Sequence, residues 1–509
     1  MKEKNVLIKG AMIIALAGFI AKLLGAVYRI PLTNILGSNG IGIYQLVFPL
    51  YSLLLTVSST GIPQSLSKLI SERLTLGQKD KAKGILKASL LLFGSIGFIG
   101  SILMAAFSGY VSKLQGEPLA VTAYLFISPS IFLVSVISCI RGYFQGRMNM
   151  LPTGLSQILE QLIKLSLGLS FAYYFRQNIV KAAALSCLAV TLSEIVTVIF
   201  LAILLKRSIG KEKIKSSKEN YVYKNILKLT LPVTMSAILI PVSQLVDSFL
   251  IINIIGKYTD NATGLYGLFT GGVMTIISLP VCICYGIAAA VVPLIAKYYA
   301  LKEYKLADRK IMLSIKYTFF IAIPSFLVCL LFSKQIVFLI FGGMKAEEVY
   351  AMSKILIYAS PSVLFLSLVQ TLAACLIAKN KQMIPAVSML TGISIKIVIE
   401  IILLKNPKIS INGGAISASL CYLVAAIINL VYIIRDKKNY WKICRFFTIF
   451  TLFSIISIGA LFLISKVISG IFGFITGAVL FLALYLLLII VFKVFKEGEF
   501  DFLKRRRKP

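Results

Sequence analysis

Fourteen stretches of this chain stay apolar for about 20 residues at a time, the length a helix needs to cross ~30 Å of hydrocarbon. They run over 7–30, 41–66, 86–110, 119–145, 153–175, 181–205, 226–255, 264–296, 313–341, 353–378, 383–404, 413–434, 445–466 and 470–494. In oil every backbone N–H and C=O must find its partner inside the protein, so such a run has two outcomes, a helix or a strand of a closed barrel. Barrel strands are short and alternate strictly, and these runs do neither. The expectation is an all-α polytopic membrane protein with about 14 transmembrane helices. At 58% hydrophobic residues the composition sits above the ~45–50% of soluble domains. The basic start and apolar first run lack a small-residue cleavage pattern before Lys22 and Arg29, so the first helix is read as retained.

The net charge of +34 comes from 53 Lys and Arg against 19 Asp and Glu. The bases cluster in alternate short connections, among them Arg73 to Lys87, Arg141 and Arg147, Lys206 to Lys218, Lys297 to Lys310, Lys379 with Lys381, and Arg435 to Lys442. That is a topology signal: short basic loops stay on the cytoplasmic side and touch anionic lipid headgroups. It places both termini in the cytoplasm and argues against nucleic acid as a partner. The tail from Lys504 to Lys508 agrees.

The two halves of the chain resemble each other. Leu36-Gly37 precedes Gly42-Ile43-Tyr44 as Ile255-Gly256 precedes Gly264-Leu265-Tyr266, and Met150-Leu151-Pro152 is matched by Met383-Ile384-Pro385. Six helices per half is an even number, so the halves would be parallel repeats about an axis along the membrane normal. The expected organisation is an amino-terminal six-helix lobe over 1–207, a cytoplasmic linker over 208–224, a second lobe over 225–435, and helices 13 and 14 with a basic tail over 436–509.

Charges stand where hydrocarbon is expected. Residues 140–164 join the fourth and fifth segments and carry Arg141, Glu160 and Lys164. Placing a charge at membrane depth costs about 2.5–3.5 kcal/mol on insertion scales, so these groups should face a bundle interior or a wet cavity. Glu160 and Lys164 are four apart, acid before base, on one helix face; Lys396 and Glu400 repeat the spacing in the eleventh segment. Lys22 is expected near mid-depth, Arg29 toward the outer end, Lys68 and Arg141 toward the inner end. Lys22, Arg29, Lys68, Arg141 and Lys164 are the candidate substrate-binding cations, a lining that would guide an anionic headgroup. Glu160, Glu194, Asp247, Lys396 and Glu400 are candidates for coupling or ion pairing, with Asp247 able to bind Na⁺ or a proton or to pair with Lys396. Asp260, Glu347 and Glu348 read as ordinary loop charge on the outer side.

There is no His, which removes His-based triads, HExxH zinc sites and imidazole relays. The eight Cys are scattered through apolar runs and read as small buried hydrophobes rather than metal ligands. No P-loop and no acidic pair on a large outer loop appears, so the chain is not read as an enzyme and no cofactor is expected. Energy would come from Na⁺ or H⁺ coupling or from the membrane potential.

Arg141-Gly142-Tyr143-Phe144-Gln145-Gly146, followed by Met150, Pro152-Thr153, Ser156-Gln157 and Glu160-Gln161, resembles the fourth-to-fifth-helix signature of the stage V sporulation protein B family of polysaccharide exporters. Tyr28-Arg29-Ile30-Pro31 and Gly61-Ile62-Pro63 with Ser67-Lys68-Leu69 and Glu72 resemble the same family's first two helices. The family sits in the superfamily of lipid II flippases, O-antigen-type flippases and multidrug/cation antiporters. The resemblance implies two lobes around a cavity, alternating access, and an undecaprenyl-pyrophosphate-linked sugar or muropeptide as cargo for peptidoglycan or spore cortex. It implies a monomer in the bacterial cytoplasmic membrane and a lipid-tail groove on helices 13 and 14, about 445–494. Lys396 departs from the pattern, standing in a helix where some members bind Na⁺. The rival expectations are a multidrug/cation antiporter of the same fold and a non-transporting membrane scaffold of the sporulation or envelope machinery.

Overall fold

The computed structural model describes residues 2–209, 220–434, 437–467 and 470–495. The linker bases from Lys211 to Lys218, Arg435 and the tail bases 504–508 lie outside the described residues. In chain order the helices are α1 (Lys2–Ser59), α2 (Ile62–Thr75), α3 (Lys79–Ala106), α4 (Ser108–Leu114), α5 (Val121–Ile127), α6 (Pro129–Gly146), α7 (Leu151–Tyr174), α8 (Ile179–Ile209), α9 (Asn220–Ala237) and α10 (Leu239–Ile255). They continue as α11 (Ala262–Gly267), α12 (Met274–Ala300), α13 (Tyr304–Leu331), α14 (Ser333–Phe341), α15 (Ala346–Ala359), α16 (Pro361–Ala378), α17 (Met383–Leu404), α18 (Asn412–Ile433), α19 (Lys437–Val467) and α20 (Gly470–Val491). No strand occurs among the described residues.

Among the described residues, eleven helical stretches are long and apolar enough to cross a membrane, or twelve if the bent pair Tyr223–Met235 and Leu239–Ile255 is one span. The expected number was fourteen, and the difference has identifiable sources. Leu16–Thr75 counts once across 60 residues, although Gly37 (φ 65°) breaks α1 within it. The α7 helix is absent from the count; Gln157, Glu160, Gln161 and Lys164 dilute its apolar text.

By contact the chain divides into two compact units. The first contains Met1–Leu279, Gly343–Met352 and Ile393–Ser417; the second contains Pro280–Gly342, Ser353–Gly392 and Ala418–Pro509. In the first unit α7 packs against α1 and α8, and α6 against α2 and α3. Glycines set the close approaches: a Cβ on Gly154 would touch Ala17 and Ile13 of α1, and one on Gly168 would meet Tyr28. In the second unit α13 packs on α16 and α19, and α19 on α20. Phe320 stacks on Tyr485 at 5.7 Å between ring centres, and the Tyr485 hydroxyl donates to the Phe320 carbonyl at 2.9 Å.

Two stretches 232 residues apart share one hydrogen-bond pattern. Ser128-Pro129-Ser130 opens α6 and Ser360-Pro361-Ser362 opens α16, with proline in the first helical turn, where a missing N–H costs nothing. Ser130 bonds Thr191 of α8 at 2.8 Å, and Ser362 bonds Ser419 of α18 at 2.8 Å. Thr191 in turn donates to the Phe126 carbonyl and Ser419 to the Tyr358 carbonyl. Both helices are followed, two residues past their end, by a left-handed residue, Met148 (φ 57°) and Asn380 (φ 60°). In each the amide three residues past the helix end closes on the carbonyl five back: Asn149 to Phe144 at 3.0 Å and Lys381 to Leu376 at 2.9 Å.

Candidate functional site

One group of intramembrane charges in the first unit gathers where α1, α6, α7 and α8 meet. Arg141 of α6 reaches across to α7: its Nη2 donates to Glu160 Oε2 at 2.9 Å and its Nε donates to Ser156 Oγ at 2.9 Å. The side chains of Arg141 and Glu160 keep 13% and 19% of their exposure, so this pair is reached from outside the packed interior. Ser156 is held in turn by the Thr153 carbonyl at 2.9 Å. Glu194 of α8 is buried, and its Oε2 has no hydrogen-bond partner. It lies within electrostatic reach of Glu160, Arg141 and Lys164.

Lys164, one turn beyond Glu160, does not pair with it. Its Nζ rests 5.4 Å from the Tyr28 ring centre and 5.9 Å from that of Phe48, both on α1. It forms no salt bridge among the described residues. Arg29, next to the buried Tyr28, lies within electrostatic reach of Lys164, is half-buried, and makes no ion pair among the described residues. Two cations, on α1 and α7, thus lie within electrostatic reach of each other without a carboxylate bonded to either among the described residues. Lys68 of α2 and Lys22 of α1 are exposed.

A second group of the same unit lies where α10 and α17 meet. Lys396 Nζ contacts Asp247 Oδ2 and donates to Ser243 Oγ at 3.4 Å. Glu400, one turn along α17, has none of its surface exposed, and neither of its oxygens has a hydrogen-bond partner; Asp247 Oδ1 has none either. The repeat makes the comparison with the first half direct. Lys164 and Lys396 are 232 residues apart, the interval of the shared pattern above, and aligning Gly37 with Gly256 sets Tyr28 opposite Asp247. Equivalent lysines therefore meet equivalent positions on the first helix of each half, an aromatic face in one and a carboxylate in the other. Lys396 is bonded to a carboxylate; Lys164 is not.

One acid read from sequence as ordinary loop charge has a specific partner. Glu348, in the first turn of α15, accepts from the Ser38 N–H at 3.1 Å and from the Ser38 hydroxyl. Ser38 follows the Gly37 break, so its amide begins a new helical segment and lacks a carbonyl four residues back. A carboxylate there satisfies the donor and suits the positive end of the helix dipole. The Glu348 Oε2 also accepts from the Lys345 amide at 3.2 Å, capping its own helix. The only sequence signal was a Gly-Ser step inside an apolar run. Nearby, Thr263 donates to Glu117 at 2.7 Å.

Residues 7–299, more than half of the chain, match the family model for polysaccharide biosynthesis proteins, and residues 232–402 match that for MatE. Stage V sporulation protein B of Bacillus subtilis is 26% identical, covering 97% of this chain and 97% of that protein. The lipid II flippase MurJ of the same organism is 24% identical, covering 86% of this chain and 84% of that protein. The solved lipid II flippase MurJ in an inward closed conformation superposes with a TM-score of 0.72 at 18% identity, covering 97% of this chain and 100% of that one, which fixes the fold. The chain belongs to the polysaccharide biosynthesis protein family, within the multidrug/oligosaccharidyl-lipid/polysaccharide exporter superfamily.

Proposed function

We propose that this multi-pass membrane transporter flips an undecaprenyl-pyrophosphate-linked sugar or muropeptide across the bacterial cytoplasmic membrane, for peptidoglycan or spore cortex. The observation that carries the reading is the asymmetry of the two equivalent lysines. Lys396 already has an anion, Asp247. Lys164 is bonded to no anion: its ammonium rests on ring faces, with Arg29, Glu160 and Glu194 within electrostatic reach and Arg141 across the same helix junction. A pyrophosphate supplies the charge that this arrangement lacks: Arg141 offers a planar fork for two oxygens, and Lys164 a point charge. Lys22 and Lys68 would meet the headgroup on its way to and from that position. The repeated hydrogen-bond pattern supports two equivalent halves, read here as lobes over 1–207 and 225–435, and the basic short connections support cytoplasmic termini. A net-negative cargo moving outward gains ~2.3 kcal/mol per charge per 100 mV from a positive-outside potential.

The test is reconstitution into liposomes with fluorescent lipid II and measurement of its exposure at the opposite leaflet. Lys164→Met and Arg29→Ala should reduce flipping at least tenfold at equal incorporation. Undiminished rates in both would remove the cationic cluster from transport. The antiporter reading draws on the second-half acids Asp247 and Glu400, whose unpartnered oxygens suit a cation. It requires efflux of cationic dyes from the same liposomes, which the flippase reading does not.

A further inference from the structure

The first-half cluster holds more acid than a plain anion site needs. Glu160 occupies the Arg141 fork that an incoming phosphate would want, and Glu194 stands behind it with an oxygen that nothing bonds. Ionised, the two carboxylates cancel two of the three cations Arg29, Arg141 and Lys164, leaving a single net positive charge. Protonated, they leave all three for the cargo. A buried carboxylate oxygen without a donor is costly while it is charged, whereas a carboxylic acid needs less from its surroundings.

The geometry points to Glu160 and Glu194 as a proton-accepting pair that competes with the anionic cargo for Arg141 and Lys164, so that cargo binding and proton uptake are one event. This rests on the anion-binding reading above. In the step, one carboxylate takes a proton from water and becomes a neutral acid, the Arg141–Glu160 bond gives way, and a phosphate oxygen takes its place on the guanidinium. On release the proton leaves and Glu160 returns to Arg141. The titratable and charged groups facing the pair are Arg141 from α6, Lys164 on α7 itself and Tyr51 from α1; Arg29 of α1 and Cys187 of α8 act on Lys164 beside it. Arg141 and Lys164 are the cations among them that act on Glu194 directly.

The experiment uses the purified full chain in nanodiscs with farnesyl pyrophosphate as the probe. Calorimetry in two buffers of different protonation enthalpy counts the protons taken up per probe bound. The wild type should take up about one proton, with affinity weakening ~10-fold per pH unit over the linked range. The variant with Glu160→Gln and Glu194→Gln should bind at high pH more tightly than the wild type and without that proton. Protonation of the probe itself is common to both proteins and cancels in the difference. Equal proton uptake in wild type and double variant overturns the proposal while leaving anion binding intact. A probe that binds the wild type at no pH overturns the anion-binding reading and the proposal with it. If the double variant does not fold, infrared difference spectra of the wild type decide: probe binding should add a protonated-carboxyl band, and its absence overturns the proposal.

Discussion

Replacing Lys396 with methionine isolates what the second-half ion pair does for the fold. The Lys396 and Asp247 side chains are 9% and 14% exposed, and Glu400 is fully buried one turn away. Methionine keeps most of the lysine stem's volume, so the change is chiefly one of charge. It leaves Asp247 with neither oxygen bonded to a cation and Glu400 with none of its neighbours positive. Removing one partner of a buried pair costs ~3–5 kcal/mol, and the exposure here places the expected loss at the lower end, about 3 kcal/mol. Asp247→Asn together with Lys396→Met removes both charges and should fall within ~1–2 kcal/mol of the wild type, since apolar or neutral replacements of buried pairs are often close to neutral. The coupling energy is then ~1–2 kcal/mol or more, well above the ~0.3–0.5 kcal/mol seen for independent sites. The assay is reversible unfolding in mixed micelles by SDS titration, followed by circular dichroism for all four proteins of the cycle. A single-mutant loss below ~1 kcal/mol, or strict additivity, would refute the claim that these two side chains neutralise each other away from water.

Other expectations follow from single contacts. Gly37→Ala puts a Cβ on a backbone at φ 65° and should cost ~1 kcal/mol in the same titration. Glu348→Ala leaves the Ser38 amide and hydroxyl without their acceptor, and faster hydrogen exchange at Ser38 with a loss of ~1–3 kcal/mol is expected. Gly267→Ala would push a Cβ into the Gly42 backbone, with its Cα only 2.7 Å away, and should cost ~1–3 kcal/mol. Gly109→Ala, with nothing within 4 Å, is its neutral control. Tyr28→Asp would give Lys164 the partner that Lys396 has, and flipping in liposomes should fall at least as far as in Lys164→Met.

The membrane class, the all-helical fold and the helical segments follow from sequence alone, because hydrocarbon leaves a 20-residue apolar run almost no other way to satisfy its backbone. Even the break in α1 left a trace: Gly37 lies in the gap between the expected segments 7–30 and 41–66. The number of spans was less legible, since a count by apolarity passes over a helix diluted by the very charges that give it interest.

Which charges meet was decided by tertiary structure. Helical spacing places Glu160 beside Lys164 and Lys396 beside Glu400. In the fold, Glu160 bonds Arg141 from α6, Lys164 turns to Tyr28 and Phe48 of α1, and Lys396 takes Asp247 from α10. Glu348, 310 residues from Ser38 in sequence, caps the broken helix. Spacing along one helix says which side chains share a face. It is silent on what the neighbouring helix presents to that face, and for charges away from water the neighbour's partner outweighs the fraction of a kcal/mol, ~0.2–0.5, that an i,i+4 pair contributes.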